Sequence, residues 1–182
     1  MEINILDHLK KRHFDVNLYK DIFIPNSLNC IYFYIYNISG KFLGYQCYTP
    51  EKPKRNNQLD DAERRYNTEV TEVNKITEIA YFGLELLNPK DVNIFLVEGI
   101  FDACRLHNLG LNSLALLSSD VYRYREHLQS LGYNLIPVCE GDEAGLKLMK
   151  LGNCNEIIYL GNTLDLGDLS DEEIYEIFKH YL

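Results

Sequence analysis

At 182 residues and 46% hydrophobic content, the chain can build a buried core, and it contains neither an apolar run long enough to span a bilayer nor a signal peptide. Its five cysteines include no C-x-x-C pair, which argues against a disulfide framework or a zinc site and predicts reduced thiols in a cytoplasmic protein. The net charge of −9 arises in residues 82–182, which hold 7 basic and 16 acidic side chains, whereas residues 1–81 hold 11 of each. The acidic half is suited to metal cations rather than to direct contact with phosphate.

The N-terminal half is predicted to be a small α+β subdomain, which we place at residues 1–88. A helix is expected to begin within residues 1–23. The apolar runs 31–36 and 41–48 flank Asn37-Ile38-Ser39-Gly40, a pattern that predicts a β-hairpin around a glycine turn. The polar residues 50–67 are predicted to form a loop or mobile segment on the solvent side, and residues 76–87 to form a second helix.

The C-terminal half, residues 89–182, alternates between strand and helix patterns, which predicts βαβ units and a mainly parallel sheet of about four strands flanked by helices. The overall expectation is therefore an α/β protein. The predicted strands are 93–97, 113–117, 134–139 and 156–160. The predicted helices are 101–109, 121–131, a segment that ends at Leu151, and a last helix that begins at Asp171.

Two of these apolar strands stop abruptly at a carboxylate and a glycine. The first ends at Glu98-Gly99, and the second ends at Glu140-Gly141-Asp142. Because parallel strands end at one edge of a sheet, and open α/β folds build their sites there, these acids are expected to lie together. Carboxylates are suitable partial ligands for Mg²⁺.

Other acids are less specific. Asp102 lies one helical turn after Glu98 and could face the same point. Asp165 and Asp168 follow the fourth strand and either complete the metal edge or are ordinary loop and capping residues. Simple capping of the next helix is the alternative for Glu98 and for the acids after Cys139, and Glu143 fits it best.

These motifs carry a family resemblance. Val97-Glu98-Gly99-Ile100-Phe101-Asp102 followed by Glu140-Gly141-Asp142-Glu143-Ala144-Gly145 resembles the Toprim domain of primases, topoisomerases and certain nucleases, and is most similar to DNA primases of the bacterial DnaG and phage type. The hairpin and the segment Arg65-Tyr66-Asn67 are similar to the part of the primase core that precedes the first Toprim strand. The resemblance extends over roughly residues 30–175.

The resemblance implies a minimal, phage-type primase catalytic core that synthesises short RNA primers from NTPs on single-stranded DNA by nucleotidyl transfer. Glu98, Glu140 and Asp142 would be catalytic, and two or more Mg²⁺ or Mn²⁺ ions would be held by these acids with Asp102, Asp165 and Asp168. Arg65 and Lys75, and more weakly Arg64, Lys54 and Arg55, would contact template or nucleotide phosphates. Surface charge without a ligand is the alternative for each of these five basic residues.

The chain also departs from the family pattern. Glu140 stands where the family usually has Asp, one methylene shorter, and an arginine expected after the hairpin is replaced near Tyr48. The sequence shows neither a zinc-binding module nor a helicase domain, so the expected partners are a replicative helicase and a separate zinc-binding or single-strand-binding protein. Two other hypotheses stay open: a Toprim-type nuclease, and a non-catalytic Toprim subunit that binds nucleic acid or a replisome partner.

Overall fold

The computed structural model describes residues 4–26, 28–54, 60, 63–73, 76–117, 121–152, 156–161 and 166–182. The chain divides into two compact units, Met1–Ala80 and Tyr81–Leu182. No helix in the described ranges combines the length and the apolar character that crossing a membrane requires. Cys30, Cys104 and Cys139 are buried, and Cys47 is half-buried.

The first unit is an antiparallel sheet with a short helix. Helix α1 (Ile5–Lys11) begins at Asn4, whose side chain accepts hydrogen bonds from the N–H groups of Leu6 and Asp7. The main sheet has the strand order β1-β2-β3-β4, and a second, two-stranded sheet follows it. The strands are β1 (Ile22–Phe23), β2 (Ile31–Tyr36), β3 (Phe42–Tyr48), β4 (Tyr66–Val70), β5 (Glu72–Val73) and β6 (Ile76–Thr77).

The predicted hairpin is confirmed as β2 and β3, which pair antiparallel from Ile31↔Tyr48 onwards. One other expectation for this half is wrong: the predicted helix 76–87 is instead β6, a backbone bridge between Phe82 and Ala115, and a 3₁₀ turn at Leu84–Leu86. In the predicted loop 50–67, the described residues before Tyr66 form neither α-helix nor strand, and β4 begins at Tyr66.

The second unit contains a four-stranded parallel sheet with the order β10-β9-β7-β8, which confirms the predicted α/β class and its parallel sheet. The strands β7 and β9 are fully apolar on both faces from their second residue, as central parallel strands are. The elements are β7 (Asn93–Val97), α2 (Ile100–His107), β8 (Ser113–Ala115), α3 (Arg125–Gln129), β9 (Asn134–Cys139), α4 (Glu143–Leu148), β10 (Ile158–Tyr159) and α5 (Asp171–Phe178).

Strands β7 and β9 have the predicted bounds, whereas other elements are shorter than predicted. The predicted helix 121–131 is a 3₁₀ turn, Val121–Tyr124, followed by α3, and the predicted fourth strand is reduced to the two residues of β10. The last helix is fixed by its Ser170 and Glu173 capping box and by Arg105 of α2, which donates to Asp171 Oδ1 and to the Leu169 carbonyl, both at 2.6 Å.

Candidate active site at the carboxyl edge of the parallel sheet

The site is built where β7 and β9 end. These strands are hydrogen-bonded neighbours, with Leu96 opposite Pro137, and each is followed at once by an acidic residue, Glu98 after β7 and Glu140 after β9. The structure therefore places the two acids at the same edge of the sheet, because parallel strands present their carboxyl ends together.

Glu98 is half-buried, and its Oε1 atom has no hydrogen-bond partner among the described residues. Burial is the largest cause that raises the pKa of Glu98, and together with the nearby charges of Asp142 and Glu140 it brings that pKa to about 7. Desolvation and like charge both disfavour the ionised form. Glu140 and Asp142 therefore lie close enough to Glu98 for their charges to act on it, and we refer to these three residues as the acid cluster.

Asp142 begins helix α4. Its Oδ1 accepts a hydrogen bond of 2.8 Å from the Gly145 N–H, in the usual geometry of a helix N-cap. The side chain is nevertheless exposed, so it can cap the helix and still present oxygen to a ligand.

Gly145 sets the position of Glu140. A Cβ atom built on Gly145 would lie 2.1 Å from the Glu140 carbonyl oxygen and 2.9 Å from its nitrogen. The first turn of α4 therefore packs directly on the Glu140 backbone, an approach that only glycine permits. The sequence shows Gly145 as part of the motif, but it does not show that the backbone of Glu140 lies too close for any larger residue.

Asp102 is placed differently from the other acids. Its Oδ2 accepts a 3.2 Å hydrogen bond from the Gly99 N–H, so it caps the helix on which it lies. The charges that raise the pKa of Glu98 are those of Asp142 and Glu140, and the charge of Asp102 is not one of them. A part for Asp102 in metal binding stays a prediction.

Asp168 is exposed in the turn before α5, and Asp165 lies outside the described residues. Their contribution to the metal edge also stays a prediction.

The basic candidates lie in the first unit. Arg65 is held in place: its Nε donates to the Lys52 carbonyl at 2.9 Å, and its backbone bonds Pro53 and Thr49. Arg64 is half-buried and Lys54 is exposed, while Lys75 and Arg55 lie outside the described residues.

Sequence reasoning missed two residues beside Arg65. The rings of His8 and Tyr48 stack at 5.7 Å, and His8 Nε2 lies 2.8 Å from the Tyr48 hydroxyl. Burial lowers the pKa of His8, and the charges of Arg12 and Arg65 lower it further.

The acid cluster fits a divalent cation by its chemistry. A half-buried carboxylate oxygen without a partner, next to two further carboxylates, matches the oxygen ligands that Mg²⁺ prefers. Within the described ranges, no three His, Cys, Asp or Glu side chains already converge in the geometry of a metal site. Full coordination would need some adjustment of these side chains.

No protein-family model matches the sequence, and no curated protein matches it. Solved structures do match its fold. The Aquifex aeolicus primase, zinc-binding and RNA polymerase domains, has a TM-score of 0.65 at 18% identity, and the alignment covers 96% of this chain and 55% of that one.

Two further structures extend the comparison. The primase fragment of the bacteriophage T7 primase-helicase has a TM-score of 0.59 at 13% identity, with 88% of this chain and 65% of that one covered. The RNA polymerase domain of Mycobacterium tuberculosis primase DnaG, in complex with a double-stranded DNA oligomer with a 6-nucleotide overhang, has a TM-score of 0.52 at 17% identity, with 96% and 63% covered.

These matches show that the chain has the fold of DnaG-type primase catalytic cores, with its Toprim and RNA polymerase-domain architecture. The resemblance inferred from the motifs is thereby confirmed at the level of fold. The chain spans less than two thirds of the length of each of these primases, between 55% and 65%.

Proposed function

We propose that the chain is the catalytic core of a DNA primase that joins NTPs into short RNA primers on single-stranded DNA. The observation that carries this proposal is the cluster of Glu98, Glu140 and Asp142 at the carboxyl edge of the parallel sheet, in a primase-core fold. Fold alone does not give function, so the chemistry of this cluster is the stronger argument.

In this proposal Glu140, Asp142 and Glu98 hold divalent metal, Mg²⁺ or Mn²⁺, with Asp102, Asp165 and Asp168 as further candidates. Bound metal would neutralise triphosphate charge and stabilise the charge that develops in nucleotidyl transfer. Glu98 is also the candidate proton acceptor for the attacking hydroxyl, and its pKa of about 7 applies to the site without metal, where it can exchange a proton near neutral pH.

The basic residues Arg65, Lys75, Arg64, Lys54 and Arg55 are proposed to bind the phosphates of the template and of the incoming nucleotide. A structural neighbour is a primase in complex with DNA, and another is the primase part of a primase-helicase, which supports a nucleic-acid ligand and a replicative helicase as partner. A separate zinc-binding or single-strand-binding protein and a cytoplasmic location complete the proposal.

Primer synthesis by the purified chain tests this function. The chain is incubated with labelled NTPs, a single-stranded DNA template and Mg²⁺ or Mn²⁺, and compared with Glu98→Gln and Asp142→Asn. Glu172→Gln is the matched control, because Glu172 is an exposed acid in the first turn of α5. We expect oligoribonucleotides from the wild type and the control, and a loss of at least about 100-fold in the two site variants.

Other outcomes of the same assay would contradict the proposal. Shortened DNA without primers would identify a nuclease. Binding without either product, with both metals and several templates, would identify a non-catalytic subunit.

A further inference from the structure

One face of the antiparallel sheet carries a group of aromatic rings that have no role in the proposed metal site. Side chains of β2 alternate: Ile31, Phe33 and Ile35 are buried, and the three tyrosines between and after them are half-buried on the opposite face. We call this opposite surface the aromatic face. Its rings are Phe23, Tyr32, Tyr34, Tyr36, Phe42 and Tyr45.

The rings touch across β1, β2 and β3. Tyr32 and Tyr45 meet edge to face at 5.1 Å, and Phe42 meets Tyr34 at 5.6 Å and Tyr36 at 5.9 Å. Phe23 lies 6.1 Å from Tyr32. The face is therefore continuous rather than a set of isolated side chains.

Cross-strand aromatic pairs also stabilise sheets, and that role accounts for the tyrosines, which keep a hydroxyl in water. It does not account for the two phenylalanines. Phe23 is 51% exposed and Phe42 is 52% exposed, although neither carries a polar atom. Exposed apolar rings joined to a larger aromatic surface indicate a binding face.

The charges around the face favour an anionic ligand at its two ends. Lys41 is exposed where the β2–β3 hairpin enters β3. Lys52, beyond the other end of β3, acts on the Cys30 thiol, whose pKa is raised mainly by burial and by Cys47. The Lys52 carbonyl also accepts the hydrogen bond from Arg65 Nε, which places the candidate phosphate-binding residue Arg65 next to Lys52.

We propose that the aromatic face binds single-stranded nucleic acid by base stacking. Outward aromatic side chains on the central strands of a four-stranded antiparallel sheet are a known arrangement for stacking unpaired bases, and cations at the ends hold the backbone. The occupant that we propose is the single-stranded DNA template, and only this choice rests on the proposed function.

The chain contains no tryptophan, so Phe42→Trp introduces a single fluorescent reporter into the face. Tyr175→Trp is the matched control, because Tyr175 is 49% exposed on α5 in the other unit. We expect titration with oligo(dT) or oligo(rU) to quench the Phe42→Trp fluorescence and to leave the control unchanged. Quenching by oligo(dT) at a lower concentration than by oligo(rU) would support template DNA as the occupant, and the reverse order would overturn that choice. Equal response of both reporters, or of neither, would overturn the proposal.

Affinity provides a second, independent measurement. The variant Phe23→Ser/Phe42→Ser is expected to weaken single-strand binding by at least about tenfold. Glu69→Gln is expected to strengthen it, because Glu69 accepts a hydrogen bond from Tyr45 at this face and repels phosphate when charged. Unchanged affinity in both variants would overturn the proposal, and loss of a dimer in the serine variant would show that the face is an interface between copies of this chain.

Both measurements are made with EDTA and without NTPs, so they do not depend on catalysis. Failure of primer synthesis with intact quenching would refute the proposed function alone. Normal primer synthesis by Phe23→Ser/Phe42→Ser on templates of all lengths, with no quenching in Phe42→Trp, would refute the aromatic face alone.

Discussion

The charged form of Glu98 destabilises the folded chain, because this side chain is half-buried and lies near the charges of Asp142 and Glu140. Its pKa in the folded chain is about 7, against an ordinary value of 4.5. Between these values the folded chain holds more protons than the unfolded chain, so the free energy of unfolding falls as pH rises from 4.5 to 7. Glu98→Gln removes this effect.

We therefore predict that Glu98→Gln raises the melting temperature in EDTA at pH 8 and changes it little at pH 4.5. Thermal unfolding of both chains across this pH range measures the difference. Glu172→Gln, an exposed acid, is the control and is expected to show no comparable dependence on pH. A melting temperature of Glu98→Gln that stays equal to that of the wild type at pH 8 would contradict the clustered arrangement.

Asp142 combines two roles that substitutions can separate. Asparagine caps helices about as well as aspartate, whereas alanine does not. Asp142→Asn should therefore keep the bond to the Gly145 N–H and lose only charge, and Asp142→Ala should also destabilise the fold by about 1 kcal/mol. Chemical denaturation together with the primer assay checks this: both variants are inactive, and only alanine lowers stability. Activity in Asp142→Asn would show that the oxygen cap, not the charge, is what matters.

For individual residues, the sequence predicted where a side chain lies in the fold better than which atoms it contacts. The edge position of Glu98 and Glu140 follows from strand ends, which an apolar run marks clearly. The hydrogen bond that Asp102 accepts from Gly99 depends on the side-chain rotamer of Asp102. The stack of His8 on Tyr48 joins residues that are 40 positions apart in the sequence. Neither is visible in local spacing.

Among the elements, α4 has the tightest constraint, because it begins directly on the Glu140 backbone. In Gly145→Ala the added Cβ would lie 2.1 Å from a carbonyl oxygen, which cannot move aside as a flexible side chain does. We predict a loss of stability of about 1–3 kcal/mol and a displaced Glu140 with strongly reduced primer synthesis.

Leu146→Ala is the control for Gly145→Ala, since Leu146 is on the same helix and 55% exposed. It should be close to wild type in both stability and activity. Denaturation midpoints and primer yields are compared for the two variants. If Gly145→Ala behaves like the control, α4 does not set the position of Glu140.

The helix predicted for residues 76–87 is absent from the structure, and the reason is a contact distant in sequence. Its apolar pattern is real, and Tyr81 and Phe82 are buried, but Phe82 pairs with Ala115 through the backbone instead of continuing a helix. Gly83 then takes φ +100°, and a Cβ there would lie 2.6 Å from the Ser113 carbonyl oxygen. A contact with a strand 30 residues away decided the local structure, and periodicity cannot register such a contact.

At the scale of the whole molecule, the net negative charge lies entirely in the second half of the chain, whereas the first half has no net charge. The net charge of −9 repels nucleic acid, while the first 81 residues are balanced and carry the candidate phosphate contacts. Salt weakens the contacts, but it also screens the repulsion. We therefore predict that single-strand affinity depends only weakly on salt, with a slope of log K against log [NaCl] of magnitude below about 3.

Mg²⁺ should act differently from Na⁺, because it binds the acids that cause the repulsion and changes the sign of the local field. At constant ionic strength, a saturating concentration of Mg²⁺ is expected to tighten oligo(dT) binding to the wild type several-fold. It should have little effect on Asp142→Asn/Glu98→Gln, which has lost two charges of the cluster. Fluorescence anisotropy with labelled oligo(dT) measures both. Equal tightening of the wild type and the double variant would show that Mg²⁺ acts on the nucleic acid or on the surface as a whole, and not at the carboxyl edge of the parallel sheet.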